Sequence, residues 1–284
     1  MKIVKHYREN AELRASFNAL AEETFGLNFE NWYRLGYWGD HYTPYSILED
    51  GQIVANVSVN RTDLVICGER KRMYQLGTVM TKPEYRNRGY IRRIMEALEE
   101  TLSDADGIYL FANDEVLEFY PKFGFRKGQE HEYFRRAQQT GPCRMEQIPM
   151  DKEENRARLE AAIASGEAVN ACAMVDNPGL IFFYAAQFLC ENVYYCRELD
   201  VWAIAEQEEG ALLLHAVFGN VPLNTVIEAF GQDVQQVTLG FVPVDKSGWE
   251  CRELREEDST FFVKGPVFES FTEKKLRIPS LSHA

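Results

Sequence analysis

The chain has 284 residues, 45% of them hydrophobic and 26% charged, a composition typical of a soluble globular protein with one large or two ordinary domains. Its net charge of −13 argues against general nucleic-acid binding, because phosphate contacts need clustered Lys and Arg. No apolar run approaches the roughly 20 residues that cross a bilayer, and the N-terminus lacks the apolar core of a signal peptide. We therefore expect a cytoplasmic protein without a membrane partner.

Residues 1–140 are predicted to form an α/β unit, in which two helices precede an antiparallel meander and a helix crossover. Apolar residues at helical spacing predict the two helices at residues 11–25 and 29–37. Further strands and helices are predicted by alternation and turn signals. The strands are at residues 45–48, 53–59, 64–67, 73–80, 107–112 and 130–134, and the later helices at residues 88–102 and 115–122. We expect the strand at residues 64–67 to continue the sheet, and two strands, one from Phe125 onward and one at residues 130–134, to close it.

A basic, glycine-containing turn joins the predicted strand at residues 73–80 to the next helix. Pro83 marks the loop, and Gly89 stands where the helix begins. The first N–H groups of a helix have no internal partner and lie at its positive dipole end, so they bind phosphate. Positive charge is added by Arg86, Arg88, Arg92 and Arg93. The turn therefore predicts a site for a phosphorylated cofactor.

Two stretches of the first half resemble the GNAT acyltransferase family, which binds acetyl-CoA. Residues 86–91 resemble its phosphate-binding pattern, Arg/Gln-x-x-Gly-x-Gly/Ala, except that Ile91 stands at the Gly/Ala position. Residues 113–125 resemble its Asn-x-x-Ala-x-x-x-Tyr-x-x-x-Gly-Phe signature, with Val116 at the Ala position. The resemblance implies a GNAT-like mixed, mostly antiparallel sheet flanked by helices.

The resemblance also implies how acetyl-CoA binds and reacts, without a metal. The backbone of Val79 and Thr81 would pair with pantetheine where two strands splay apart, and Asn113 would bond the pantetheine arm. Tyr120 would act as the general acid that protonates the departing thiolate, since a free thiol has a pKa of about 8.5. The implied cofactor-binding residues are Val79, Thr81, Arg86, Asn87, Arg88, Gly89, Tyr90, Ile91 and Asn113.

The sequence leaves the identity of the general base open. Glu84 beside the cofactor turn is one candidate, and Asp63, His41, His131 or water alone are the others. No cysteine pair has CxxC spacing, so neither a zinc site nor a disulfide framework is indicated. Cys67, the single cysteine of the first half, has no His nearby in sequence. We therefore expect direct transfer in a ternary complex rather than an acyl-cysteine.

An aromatic group lies where the first two helices of the family shape the acceptor pocket. Its rings either stack on a cationic amine or belong to the core. The members are Trp32, Tyr33, Tyr37, Trp38, Tyr42 and Tyr45.

The second half begins near residue 140, where a polar stretch ends in Gly141-Pro142. Residues 141–284 carry most of the acidic excess, with 12 Lys and Arg against 23 Asp and Glu. Their predicted order again resembles the family. Helices are expected at residues 151–164, 180–190 and 222–230, and strands at residues 169–175, 193–198, 201–206, 212–218, 236–242 and 260–264. The turn before the helix at residues 222–230 lacks the phosphate-binding pattern, and Pro222 has no N–H. We expect a degenerate copy that completes the acceptor cleft or forms an oligomer interface, which allows a homodimer.

The sequence thus predicts an acetyl-CoA-dependent N-acetyltransferase with a catalytic domain at residues 1–140 and a degenerate GNAT-like domain at residues 141–284. The acceptor would be a primary amine of a small molecule or peptide, and the acidic second half favours a cationic one. Two alternatives stay open, a non-catalytic acyl-CoA-binding regulator and a transferase that uses another acyl donor.

Overall fold

The computed structural model describes residues 2–137, 141–231 and 233–283. The predicted domain boundary near residue 140 lies outside the described residues. Within these ranges, no helix combines the length and apolar character that a membrane span requires. The α-helices are α1 (Ala11–Phe25), α2 (Glu30–Arg34), α3 (Tyr90–Thr101), α4 (Glu153–Ser165), α5 (Pro178–Phe183), α6 (Leu223–Ala229) and α7 (Glu269–Lys274).

Seventeen strands are described in three sheets. Those before the predicted boundary are β1 (Lys2–Val4), β2 (Tyr42–Glu49), β3 (Gln52–Arg61), β4 (Leu64–Ile66), β5 (Glu69–Lys71), β6 (Met73–Thr81), β7 (Gly107–Ala112), β8 (Arg126–Lys127) and β9 (His131–Arg136). Those after it are β10 (Glu146–Gln147), β11 (Cys172–Met174), β12 (Val193–Cys196), β13 (Val201–Glu208), β14 (Ala211–Phe218), β15 (Gln236–Leu239), β16 (Glu250–Glu253) and β17 (Thr260–Lys264).

The two seven-stranded sheets have matching topology. The first sheet has the order β1-β2-β3-β6-β7-β17-β8, and the second has the order β10-β12-β13-β14-β15-β9-β16. In each sheet the fourth and fifth strands are parallel, β6 with β7 and β14 with β15, and the other neighbours are antiparallel. The predicted mixed, mostly antiparallel α/β fold is therefore confirmed.

The sixth strand of each sheet comes from the other half of the chain. In the first sheet β17 lies between β7 and β8, where Val263 faces Tyr109 on one side and Arg126 on the other. In the second sheet β9 lies between β15 and β16, where Phe134 faces Thr238 and Glu250. The expectation that residues 130–134 close the first sheet is therefore wrong.

Burial on both faces explains this exchange. The sixth position of the first sheet is covered by a core on each side, so it requires successive apolar residues. Strand β17 supplies them, because Phe262 packs in one core while Phe261 and Val263 pack in the other. Strand β9 alternates between buried and partly exposed residues and carries charged Glu132 and Arg136, so it does not meet that requirement.

A small sheet of three strands, β11-β4-β5, joins the halves. Strand β4 pairs with β11 of the second half, so residues 64–67 do not continue the main sheet as expected. The chain leaves that sheet at Thr62 and Asp63, whose backbone groups bond Met73 and Val175.

The faces of the first sheet pack into different cores. The α3 core lies between this sheet and helix α3 and includes Ile94, Leu98 and Tyr120. The central core lies on the other face, between α1, α2 and the second half, and includes Phe17 and Tyr109. Successive residues of a strand point to opposite faces of the sheet. A side chain of the first sheet therefore packs either against α3 or against α1, α2 and the second half.

Local signals fix most helix limits. The predicted helix at residues 11–25 is confirmed, because the Asn10 side chain caps its first turn and Gly26 ends it at φ +69°. The helix predicted at residues 115–122 is instead two short 3₁₀ turns, since Pro121 cannot continue an α-helix. The helix predicted at residues 180–190 begins at Pro178 and changes to a π-helix at Tyr184.

Candidate active site

A gap opens between β6 and β7, the two parallel strands of the first sheet. They pair over three positions, from Met73 opposite Gly107 to Gln75 opposite Tyr109. Both strands then continue, β6 to Thr81 and β7 to Ala112, and these described residues form no further pairs with each other. The unpaired backbone leaves hydrogen-bonding groups open to an inserted extended chain.

A β-bulge bends β6 at the start of this gap. Between Ser58 opposite Gly77 and Asn56 opposite Met80, β6 carries one residue more than β3. Thr78 lies in the bulge with φ +43°, a backbone conformation that is strained for a β-branched residue.

Buried polar side chains hold the bulge in place. Asn56 Nδ2 donates to the carbonyl oxygen of Thr78 at 2.9 Å, and Thr78 Oγ1 donates to Ser58 Oγ at 2.7 Å. The hydroxyl of Tyr42 lies 2.7 Å from Thr78 Oγ1, and Ser46 Oγ donates to Asn56 Oδ1 at 2.8 Å. Our sequence reasoning missed this network, although polar residues inside two otherwise apolar strands were its visible signal.

The cofactor turn follows β6 directly. A 3₁₀ turn at Pro83–Tyr85 leads to Asn87 and Gly89, which have φ +63° and +76°, and α3 begins at Tyr90. Within the described residues, no side chain caps α3. The backbone hydrogen bond from Arg93 N to Gly89 O is 3.1 Å long. The preceding N–H groups at the helix start are therefore available to an anion.

The side chains of the turn mainly brace the turn itself. Arg88 donates to the carbonyl oxygen of Glu84 at 2.8 Å and lies over the Tyr85 ring at 4.6 Å. Arg86 Nε donates weakly to Thr81 O at 3.4 Å. These contacts leave the backbone as the main anion-binding element.

The other predicted cofactor residues lie around the same turn. The Tyr90 hydroxyl donates to Glu49 at 2.5 Å, and Ile91 is half-buried against the α3 core. Val79 lies in the bulge, and Thr81 pairs with Ala55 at the end of β6. The packing of Ile91 accounts for a large residue at this position, because its side chain contacts the core.

Tyr120 begins a 3₁₀ turn and is buried against aromatic rings. The ring centroids of Phe119, Phe262 and Phe125 lie 5.4, 5.6 and 6.2 Å away, and Phe262 belongs to β17. Burial raises the pKa of Tyr120 to about 12. Burial is the one cause of this shift, and the phenol therefore keeps its proton at neutral pH.

Asn113 follows β7 and is tied to the second half. Its Nδ2 donates to Asp258 Oδ2 at 2.8 Å, and Asp114 N donates to Asp258 Oδ1 at 2.7 Å. The hydrogen bond from Asn113 and that from the Asp114 backbone lower the pKa of Asp258. Asn113 therefore holds the turn that precedes β17.

The candidate bases have different environments. Glu84 is exposed in the cofactor turn. Asp63 is buried, which opposes its ionisation, but hydrogen bonds from Arg61 and Arg70 outweigh burial and lower its pKa. Asp63 is thus an ion-pair partner, which makes it a poor proton acceptor.

Two histidines were further candidates for the general base, and one cysteine was considered as a covalent nucleophile. Burial lowers the pKa of His131, which lies in β9 of the second sheet. His41 lines a cavity between the halves, described next, and its Nδ1 is buried without a partner among the described residues. Cys67 is exposed in the β4–β5 hairpin.

The aromatic group is largely core, with one open side. Trp32, Trp38, Tyr42 and Tyr45 are buried. A cavity of about 310 Å³ nevertheless lies beside Trp32, Tyr37 and Tyr42, and residues of the second half form its other wall. Its described lining includes two carboxylates and no Lys or Arg. The residues are Trp32, Gly36, Tyr37, Gly39, His41, Tyr42, Glu160, Asp176, Asn177, Pro178 and Gly179.

Solved structures share the fold of nearly the whole chain. A protein from Enterococcus faecalis, named as a Probable N-Acyltransferase, is 16% identical at a TM-score of 0.60, over 96% of this chain and 74% of that one. A GCN5-related N-acetyltransferase from Kribbella flavida is 15% identical at a TM-score of 0.56, over 92% and 70%. Another from Anabaena variabilis is 13% identical at a TM-score of 0.52, over 93% and 72%.

Sequence comparison identifies the domain. Among curated proteins, none matches this sequence significantly. A family model does match: residues 9–128 fit the acetyltransferase (GNAT) domain, which spans α1, the bulged β6, the cofactor turn and Tyr120. Residues 9–128 are therefore a domain of the GNAT acetyltransferase family.

Proposed function

We propose that this protein transfers an acetyl group from acetyl-CoA to a primary amine of a small molecule or peptide. The observation that carries the proposal is the parting of β6 and β7 next to an uncapped helix start. One feature accepts an extended chain and the other accepts a phosphate, and pantetheine and pyrophosphate are joined in that order in CoA.

Each part of the donor has residues suited to it. The backbone of Val79 and Thr81 would hold the pantetheine arm, with Asn113 at the opposite strand end. The N–H groups from Arg88 to Ile91 would hold the pyrophosphate. The bound thioester supplies an activated acetyl carbon, which an amine attacks in a ternary complex.

Tyr120 is proposed as the general acid. Its raised pKa keeps the phenol protonated across the neutral range, so it can donate a proton to the departing sulfur. A Lys-like amine has a pKa of about 10.4 and must lose a proton before attack. Glu84 and water remain the proposed acceptors of that proton.

The cavity between the halves is proposed as the acceptor pocket. Tyr42 lines this cavity and bonds Thr78 in the bulge, so the cavity adjoins the gap between β6 and β7. Its volume of about 310 Å³ suits a small ligand. Aromatic walls with Glu160 and Asp176 favour a cationic amine, although Asp176 already pairs with Arg70 at 2.5 Å.

The second half is proposed to be a degenerate copy, with residues 1–140 and 141–284 as the two domains. Matching strand order supports the repetition. In this proposal the second half contributes β17 and one wall of the acceptor pocket, and any homodimer would use its outer surface.

Calorimetric titration with acetyl-CoA tests the proposed donor site. We expect micromolar binding by the parent and loss of binding in Gly89→Pro, because proline cannot adopt φ +76°. The matched control is Gly248→Pro, at an exposed glycine of φ +74° in the second half. Circular dichroism of both variants confirms that each is folded.

Turnover separates the proposal from its alternatives. Acetylation of amines should follow binding, and cationic amines should have lower KM than neutral ones. Binding without turnover over a broad amine panel would favour a regulator. Turnover with longer acyl-CoA esters alone would favour another donor, and no binding by the parent would refute the proposed site.

A further inference from the structure

Two cysteines and a glutamate meet at one edge of the second sheet. The ligand atoms of Cys143, Cys196 and Glu198 all lie within 4.8 Å of one another, and they form the one such cluster found in the described chain. The Cys196 thiol donates to Glu198 Oε2 at 3.4 Å. Sequence spacing gave no sign of it, because Cys143 is distant in the chain from the other two.

Strand register explains why these residues meet. Strands β10 and β12 are antiparallel, with Glu146 opposite Tyr195 and Gln147 opposite Tyr194. Cys143 lies three residues before β10, Cys196 ends β12, and Glu198 lies in the turn that follows β12. The pairing of β10 with β12 therefore brings Cys143 close to Cys196, and the turn after β12 returns Glu198 to the Cys196 thiol.

Backbone hydrogen bonds fix the segment that carries Cys143. Met145 N donates to Ala229 O at 2.9 Å, and Ile148 N donates to Val193 O at 2.8 Å. The neighbouring guanidinium of Arg144 donates to the carbonyl oxygens of Gly141 and Cys143. That cation is thereby held on the backbone.

The ligand types and their spacing suit zinc. Zn–S bonds of about 2.3 Å and Zn–O bonds of about 2.1 Å around a tetrahedral centre separate neighbouring ligand atoms by roughly 3.5 Å. The measured limit of 4.8 Å and the S–O distance of 3.4 Å are compatible with this geometry after small side-chain movements. Thiolates disfavour calcium and magnesium, which prefer oxygen ligands.

The three side chains differ in burial, so the cluster is enclosed on one side and open to solvent on the other. Cys196 is fully buried, Cys143 is half-buried and Glu198 is exposed. An ion could reach the cluster from the Glu198 side, where water would complete its coordination.

We propose that Cys143, Cys196 and Glu198 bind one zinc ion, with water as the fourth ligand. The ion links the segment after residue 141 to the β12–β13 hairpin, so its role is structural. It lies within the second half and takes no part in acetyl transfer.

Cobalt titration of the reduced full-length chain tests this site. Co²⁺ substitutes for Zn²⁺, and cobalt–thiolate bonds absorb in the near ultraviolet in proportion to their number. We expect one equivalent of Co²⁺ to give a two-thiolate band that Zn²⁺ abolishes. Zinc should also raise the melting temperature without changing acetyl-CoA binding.

Variants decide which side chains bind the ion. Cys143→Ser should halve the thiolate band, and Glu198→Gln should weaken cobalt binding by about tenfold while keeping the band. Cys190→Ser and Cys251→Ser, at half-buried cysteines outside the cluster, should bind like the parent. No thiolate band in the parent, or an unchanged band in Cys143→Ser, would overturn the proposal.

Discussion

The two seven-stranded sheets share one topology but differ where a helix follows the fourth strand. In the first sheet, α3 starts beyond Gly89 with open N–H groups beside four arginines. In the second sheet, the seven-residue α6 starts beyond Pro222, which has no N–H, and its start lines a cavity together with Val244, Asp245 and Trp249. The proposed anion site thus depends on a few residues of one turn and is separable from the fold.

The sheets also differ where their parallel strands part. Past Gln75 and Tyr109, the first sheet leaves a gap. In the second, β14 and β15 pair as far as Leu214 opposite Leu239, and Gly240 N then donates to Leu214 O. Ser280 N donates to Gly240 O, so the chain itself occupies that position. The same strand arrangement therefore leaves a gap between the parallel strands in one half and is filled by the chain's own C-terminal segment in the other.

The largest expected effect comes from separating the halves. A chain that ends at residue 140 lacks β17, whose Phe262 and Val263 are fully buried. Each such side chain contributes about 1.5–3 kcal/mol, and the edges of β7 and β8 would be unpaired. We expect no cooperative thermal unfolding by circular dichroism.

A second shortened chain is the control. Joining residues 255–283 to residues 1–137 through a flexible linker restores β17 and should restore a cooperative transition. A stable, cooperatively folded chain of residues 1–140 would show that β17 is dispensable.

The next effect compares Tyr120, which packs beside the first sheet, with Tyr133 of the second sheet. Tyr120→Phe should lower kcat about 100-fold with an unchanged KM for acetyl-CoA, because only proton donation is lost. Tyr133→Phe removes a buried hydroxyl that donates to Lys275 O at 3.0 Å in the second sheet. It should affect stability and leave kcat unchanged, whereas equal kcat values for the parent and Tyr120→Phe would remove Tyr120 from the mechanism.

A smaller effect, on the pH dependence of stability, is expected from Glu130, which lies between β8 of the first sheet and β9 of the second. Burial raises its pKa to about 7, although Arg277 and the Ile278 N–H oppose this. The folded state therefore binds the proton more tightly, and its contribution to stability is present below about pH 4.5 and is lost as pH rises through about 7.

Urea unfolding at pH 5 and pH 8 measures this contribution. The parent should lose up to about 3 kcal/mol relative to Glu130→Gln over that range. The control is Glu250→Gln, at an exposed carboxylate of β16. Parallel pH profiles for the parent and Glu130→Gln would mean that Glu130 ionises normally.

The smallest expected effect distinguishes two roles of Asn113. If it mainly holds Asp258, Asn113→Ala and Asp258→Ala should each lower the free energy of unfolding by a similar small amount, and the double variant should lose no more than either single variant. If it also binds pantetheine, Asn113→Ala alone should raise the Kd of acetyl-CoA several-fold. Calorimetry with both single variants and the double variant separates these results.

Features encoded over a few neighbouring residues were predictable from sequence. The limits of α1 and β7 were predicted as the structure has them, because capping and apolar runs are local signals.

Features that depend on distant partners were not predictable. Both β9 and β17 were predicted as strands, but their sheets were not, because pairing depends on which faces are buried. The network around Thr78 required a bulge that no local pattern indicates. The cluster of Cys143 with Cys196 likewise depends on the pairing of β10 with β12, which are distant in the chain.

The strand exchange also has a consequence for biosynthesis. A ribosome makes β8 long before β17, and at about 5–20 residues per second the interval is on the order of ten seconds. During that time the nascent first sheet has an unfilled position beside β7, and Tyr120 lacks its Phe262 neighbour. The proposed acetyl-CoA site is therefore completed only when most of the chain has been translated, and we expect the exposed β7 edge to be a contact for a chaperone until then.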